Sequence, residues 1–145
     1  MVEADELNLR RAIELAAAAR QAGDMPFGSL LVGPTGETLA EERNTVLSDR
    51  DVTAHPELKL ARWAGRELTA DVARETTMYT SCEPCPMCRG AIARSGLGRV
   101  VFALSGEQLG ALRPAGVAGP DAAQVLYEGP ALHEEARIPV TGYYD

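Results

Sequence analysis

Four residues carry most of the chemistry this chain offers: His55, Glu57, Cys85 and Cys88. The cysteines stand three apart in Pro84-Cys85-Pro86-Met87-Cys88, where the two prolines lead into a helical pattern. A helix start carries partial positive charge and unpaired N–H groups, which favour thiolates over thiols. Two thiolates and one neutral imidazole make a good tetrahedral zinc set and leave a fourth position for water. A Cys-x-x-Cys pair can also be a redox motif. Here Pro86 directly follows the first cysteine, which is the wrong proline pattern for that use. A second alternative is a closed structural site of His55, Cys82, Cys85 and Cys88, which would make Glu57 incidental. His55-Pro56-Glu57 alone reads as a polar helix start. Joined to Pro-Cys-x-x-Cys across the 26 residues 58–83, it becomes a metal site with a carboxylate beside it.

This joint pattern, with each half opening a helix after an extended segment, resembles the zinc-dependent cytidine deaminase superfamily. The branch it resembles holds guanine deaminase, small cytosine deaminase and tRNA adenosine deaminase. The segments that carry the likeness are Met25-Pro26-Phe27-Gly28, Asn44, Thr53-Ala54-His55-Pro56-Glu57 and Tyr79-Thr80-Ser81-Cys82-Glu83-Pro84-Cys85-Pro86-Met87-Cys88. It covers residues 5 to about 105 and fades afterwards. The resemblance implies Zn2+ held by His55, Cys85 and Cys88. Glu57 would carry protons between the attacking water, a ring nitrogen and the departing ammonia. Asn44 would hydrogen-bond the base, Phe27 would line its pocket, and Ala54 and Glu83 would act through their backbones. The tail of such enzymes closes over a small substrate. Here it offers His133, Glu134, Glu135, Tyr143, Tyr144 and Asp145, with Tyr144 taken as the substrate contact. Relatives mostly have alanine at the position of Pro56, so that proline departs from the pattern.

The elements that must position these residues alternate along the chain. Residues 5–22 read as a helix, with Leu9, Ile13, Ala16, Ala17 and Arg20 at helical spacing and Gly23 as the stop. Gly28–Val32 reads as a buried strand, Pro34-Thr35-Gly36 as a turn and 37–42 as its partner strand. Residues 44–53 are polar and aperiodic. A helix is expected over 55–64, closed by Gly65, then a strand over 76–81. A second helix follows to about Ser95 with Gly96 as its stop, and a strand over 99–104. Strand, helix, strand with short joints implies a parallel pair. Residues 106–120, rich in Gly, Pro and Ala, read as a long loop, with a short helix near 132–137. The expected fold is a three-layer α/β/α sandwich, cytidine deaminase-like, with a mixed central sheet and one domain over 1–145.

Composition narrows the function. With 145 residues the chain fits one ordinary domain. Three cysteines, all between 82 and 88, cannot build a disulfide framework and point to a reducing compartment. The start of the chain lacks the basic and apolar segments of a secretory leader, and no apolar run approaches the roughly 20 residues a bilayer needs. A cytoplasmic protein is expected. Fourteen basic against 21 acidic residues give a net charge of −7, which argues against nucleic acid as a partner. The expected substrate is therefore a small free nucleobase or nucleoside, of guanine or cytosine type or a related aminated heterocycle. The alternatives are adenosine in tRNA and, more remotely, a non-catalytic zinc module. A homodimer is the assembly the resemblance implies.

Overall fold

A computed structural model of the chain describes residues 2–145. It divides into two compact units, one ending at Pro114 and the other Ala115–Asp145. The first unit carries α1 (Glu3–Gln21), β1 (Gly28–Val32), β2 (Thr38–Arg43), α2 (Val46–Asp49), α3 (Pro56–Glu67), α4 (Ala70–Arg74), β3 (Thr77–Cys82), α5 (Pro86–Ser95), β4 (Arg99–Leu104) and α6 (Gly106–Ala111). The second carries α7 (His133–Ala136), and most of its side chains are exposed. Among the described residues no helix is long and apolar enough to cross a membrane.

The sheet has the order β2-β1-β3-β4. β1 pairs antiparallel with both β2 and β3, whereas β3 and β4 run parallel across α5, as the strand–helix–strand reading required. Side-chain alternation divides the core in two. Leu30, Val32, Tyr79 and Val101 point to one face and pack with Leu9 and Ala12 of α1. Their neighbours Leu31 and Met78 point to the other face and pack with Leu60 and Ala64 of α3, with Ile92 of α5 against the cluster. The result is the expected three layers around a mixed sheet.

Two details place α1. Its buried stripe is Asp5, Leu9, Ala12, Ala16 and Ala19, so Ile13 and Arg20 of the expected face lie in solvent. Alanines sit inward because the helix lies flush on the first residue of β1. A Cβ on Gly28 would come within 2.5 Å of the Ala16 nitrogen and 2.7 Å of the Ala12 oxygen. The inward acid is also partnered. Asp5 is 2% exposed and accepts from Arg99 Nη1 and Nη2 at 3.0 and 2.8 Å and from the Tyr79 hydroxyl at 2.5 Å. This latch joins the first turn of α1 to β3 and β4.

Several boundaries differ from the sequence reading. Gly65 does not end α3, which continues to Glu67 and closes with Leu68 N–H on the Ala64 carbonyl. One glycine costs a helix only about 1 kcal/mol, less than the burial of its neighbours returns. The long loop expected from 106 begins instead as α6. Ser105 accepts from Gln108 N–H at 3.0 Å, and the Gln108 side chain accepts from Ser105 N–H at 2.9 Å, a reciprocal cap that starts the helix. The polar stretch 44–53 contains α2.

Candidate active site

The two ligand-bearing helices open in the same way. α3 begins at Pro56 and α5 at Pro86, so His55 and Cys85 are the residues just before each helix. A residue that precedes proline is pushed into extended backbone. His55 (φ −79°, ψ 141°) and Cys85 (φ −70°, ψ 168°) both obey. Pro56, the departure noted above, therefore does for the histidine what Pro86 does for the cysteine. It also fills a first-turn position where the missing N–H leaves no bond unmade.

The structure brings the three expected ligands together. His55 Nδ1 lies 3.7 Å from Cys85 Sγ and 3.5 Å from Cys88 Sγ. All three ligand atoms fall within 4.8 Å of one another. A tetrahedral zinc with bonds of about 2.3 Å to sulfur and about 2.0 Å to nitrogen sets the N···S separation near ~3.6 Å. The residues therefore fit zinc in type and in spacing, through Nδ1 of the imidazole. The Cys88 thiol bonds to the Cys85 sulfur, and His55 lies beside it, so Cys85 is held down while Cys88 is pushed up. Both must be thiolates to hold the metal, so loading releases a proton.

Cys82 does not belong to this group. It ends β3, opposite Leu104 of β4, and burial pushes its thiol up. The closed four-ligand arrangement weighed from the sequence thus lacks its fourth donor among the clustered atoms.

Glu57 sits in the first turn of α3 and is 6% exposed. Loss of solvent raises its carboxyl to about 7, opposed by its own backbone N–H and by His55. A buried carboxylate tuned towards neutrality can take up and return a proton within one turnover.

Asn44 arrives from the other side of the site. It follows β2, and its N–H donates to the Phe27 carbonyl at 3.0 Å. The next N–H, of Thr45, donates at 3.1 Å to the carbonyl of Ala54, the residue before His55. Asn44 is fully buried. Its Oδ1 accepts from Val46 N–H at 3.0 Å, while Nδ2 is a buried side-chain nitrogen with no partner. An unmade hydrogen bond in the interior costs roughly 1–3 kcal/mol. A ligand's acceptor would complete such a donor. This orphan donor was invisible in the sequence.

The other expected contacts are mixed. Phe27 is half-buried and touches Asn44 through its backbone. Ala54 is buried, with its N–H on the Asp51 carbonyl and its carbonyl on Thr45 N–H. Glu83 is half-buried, and its side chain is engaged as well. Its Oε1 accepts from Gly106 N–H at 2.8 Å at the start of α6, and its other oxygen pairs with Arg89, whose Nε also donates to the Pro84 carbonyl at 3.1 Å. That clamp, missed in the sequence, steadies the loop into Cys85. Tyr144 lies in the second unit, exposed, with its ring edge-on to Tyr143 at 4.9 Å.

Residues 2–104 match the family described as the cytidine and deoxycytidylate deaminase zinc-binding region. The chain belongs to that family. It is a hydrolytic deaminase acting on C–N bonds, and zinc is the metal its site takes. The deaminase is 34% identical to a probable cytosine deaminase of Schizosaccharomyces pombe, over 99% of this chain and 94% of that one. It is 36% identical to the tRNA-specific adenosine deaminase of Haemophilus influenzae over 76% of this chain, and it spans 64% of that protein. The crystal structure of guanine deaminase from Bacillus subtilis superposes with a TM-score of 0.76 at 29% identity, covering 99% of the deaminase and 94% of the other chain.

Proposed function

We propose that the protein deaminates a small free base or nucleoside of guanine or cytosine type, with residues 1–145 acting as one zinc-dependent deaminase domain. The observation that carries this reading is the buried Asn44 Nδ2 without a partner. Because Oδ1 is engaged by Val46 N–H, the amide presents a donor, not an acceptor. Guanine and cytosine both carry a ring carbonyl to meet it, besides the ring nitrogens that every base offers as acceptors. A ligand with no acceptor at that point would leave the buried donor unmet and bind poorly.

In this reading His55, Cys85 and Cys88 hold the zinc. When bound, the metal supplies an activated water as nucleophile at neutral pH. Glu57 accepts the proton of that water, delivers it to the ring nitrogen beside the amino-bearing carbon, and assists the exit of ammonia. Water is consumed, the C–NH2 bond breaks and a ring carbonyl forms. Phe27, Ala54 and Glu83 are the further substrate contacts that the family likeness supports, whereas Tyr144 lies beyond residues 2–104 of the family match and has no such support. A homodimer is the assembly the resemblance implies, and the clustered unpaired cysteines favour a reducing compartment such as the cytoplasm.

The tRNA reading has the similarity to the Haemophilus enzyme behind it. Charge weighs against it: the chain stands at −7, and residues 115–145 hold five acids and a single arginine. The deciding experiment is ammonia release by zinc-loaded protein with guanine, guanosine, cytosine, cytidine, isocytosine, adenine and ammeline, beside an anticodon stem-loop containing adenosine. Turnover of a carbonyl-bearing base or nucleoside is expected. Salt-sensitive tRNA binding with no turnover of free bases or nucleosides would overturn the proposal.

A further inference from the structure

α2 is a single turn of four residues, Val46–Asp49. A helix this short does not hold itself together. Its opening N–H groups are instead held by two side chains. Val46 N–H goes to Asn44 Oδ1 at 3.0 Å. Leu47 and Ser48 N–H go to Asp24 Oδ1 at 3.1 and 2.9 Å, and the Ser48 hydroxyl donates to Asp24 Oδ2 at 2.8 Å. Asp24 is 7% exposed and is fixed from behind by its own N–H on the Ala19 carbonyl at 2.9 Å. On the opposite side Thr45 is tied to the zinc helix, with Lys59 Nζ donating to its hydroxyl at 2.9 Å.

We infer that Asp24 is a positioning residue for the substrate amide: by holding α2 it keeps Val46 N–H on the Asn44 oxygen and so keeps Nδ2 as the group that meets the base. The inference rests on the proposed role of Asn44 as substrate donor. Without the Asp24 carboxylate, Leu47 and Ser48 lose their acceptor, α2 loosens, and Val46 N–H no longer fixes which end of the amide faces the site. An amide that turns over presents oxygen to the carbonyl oxygen of the base, and two acceptors repel.

The test has two arms. Amide hydrogen exchange by NMR on zinc-loaded Asp24→Ala is expected to show at least about tenfold faster exchange at Val46, Leu47 and Ser48, with the strand amides of Leu30 and Met78 unchanged. Asp24→Asn, which keeps an acceptor, should restore most of the protection. Unchanged exchange at Val46 in Asp24→Ala would overturn the inference, whatever the substrate. The second arm is a double-mutant cycle with guanine and cytosine. Asp24→Ala should lower kcat/KM about tenfold, mainly through KM, yet less than about twofold in an Asn44→Ala background. Equal losses in both backgrounds would show that Asp24 does not act through Asn44 and would overturn the inference. If Asn44→Ala itself loses nothing, the substrate-donor reading fails, and the exchange arm alone judges the hold of Asp24 on α2.

Discussion

Removing the Asp5 carboxylate should weaken the whole sandwich, and by an amount its contacts allow to be worked out. In Asp5→Ala the Tyr79 hydroxyl, in a residue only 5% exposed, loses its acceptor. A buried hydroxyl left unpaired costs roughly 1–3 kcal/mol. The Arg99 pair adds less, because the arginine side chain is half in water and can rehydrate, so about 1 kcal/mol is a fair share. The total is about 2–4 kcal/mol, or a melting point lower by roughly 6–16 °C for a chain of this size. The pH dependence follows from the direction of the shift. Bonds first from Arg99 and then from Tyr79 hold the Asp5 carboxyl well below the usual carboxylate range. A depressed acid contributes stability that is fully present above its unfolded value of about 3.9 and is lost as the pH falls below it. Thermal and urea unfolding of wild type and Asp5→Ala from pH 7 to 2.5, in one buffer series, would read both quantities. Zinc release in acid affects both proteins and cancels in the difference. The gap should be constant from pH 7 to about 5 and should narrow progressively below pH 4. Adding Tyr79→Phe should recover part of the loss, since no hydroxyl is then stranded. A melting point within about 1 °C of wild type at pH 7, or a gap that does not change with acid, would refute the latch.

Other outcomes follow from the same geometry. Glu57→Gln should keep its zinc, by metal analysis, and lose about 10²–10⁴-fold in kcat, since the amide cannot accept the proton of the attacking water. Cys88→Ser should lose most bound zinc and Cys82→Ser should retain it with activity; zinc loss in Cys82→Ser would restore the closed four-ligand site. Gly28→Ala should destabilise by about 1–3 kcal/mol in urea titrations, because the added carbon meets backbone atoms of α1 that cannot give way without moving the helix.

The metal half of the site was open to reading because its parts are local. His-x-Glu and Pro-Cys-x-x-Cys each lie within one helix start, and residue type and spacing alone state their chemistry. The β1–β2 hairpin and the parallel β3–α5–β4 unit were equally plain, since alternation and short joints leave few topologies. What stayed hidden depends on distance in the chain. Asp5 looks like any acid in a first helical turn, and its partners lie 74 and 94 residues away. Asp24 and Ser48 fall in turn-like polar segments with no periodicity to join them. The cap at Ser105 and Gln108 was present in the sequence as Ser-x-x-Gln, and the glycines after it masked the signal. Asn44 was placed by resemblance, but which end of its amide faces the substrate depends on Val46 N–H, and no spacing rule gives that.

The pair of prolines that open the ligand helices bears on how the enzyme is charged with metal. Proline restricts the residue before it whether or not an ion is bound, so His55 and Cys85 give up less backbone freedom when metal is captured. Loading still requires the thiols to shed their protons. The His55 and Cys85 corners thus lower the ordering cost of metal capture, a cost that small zinc modules folding only around their ion meet in full.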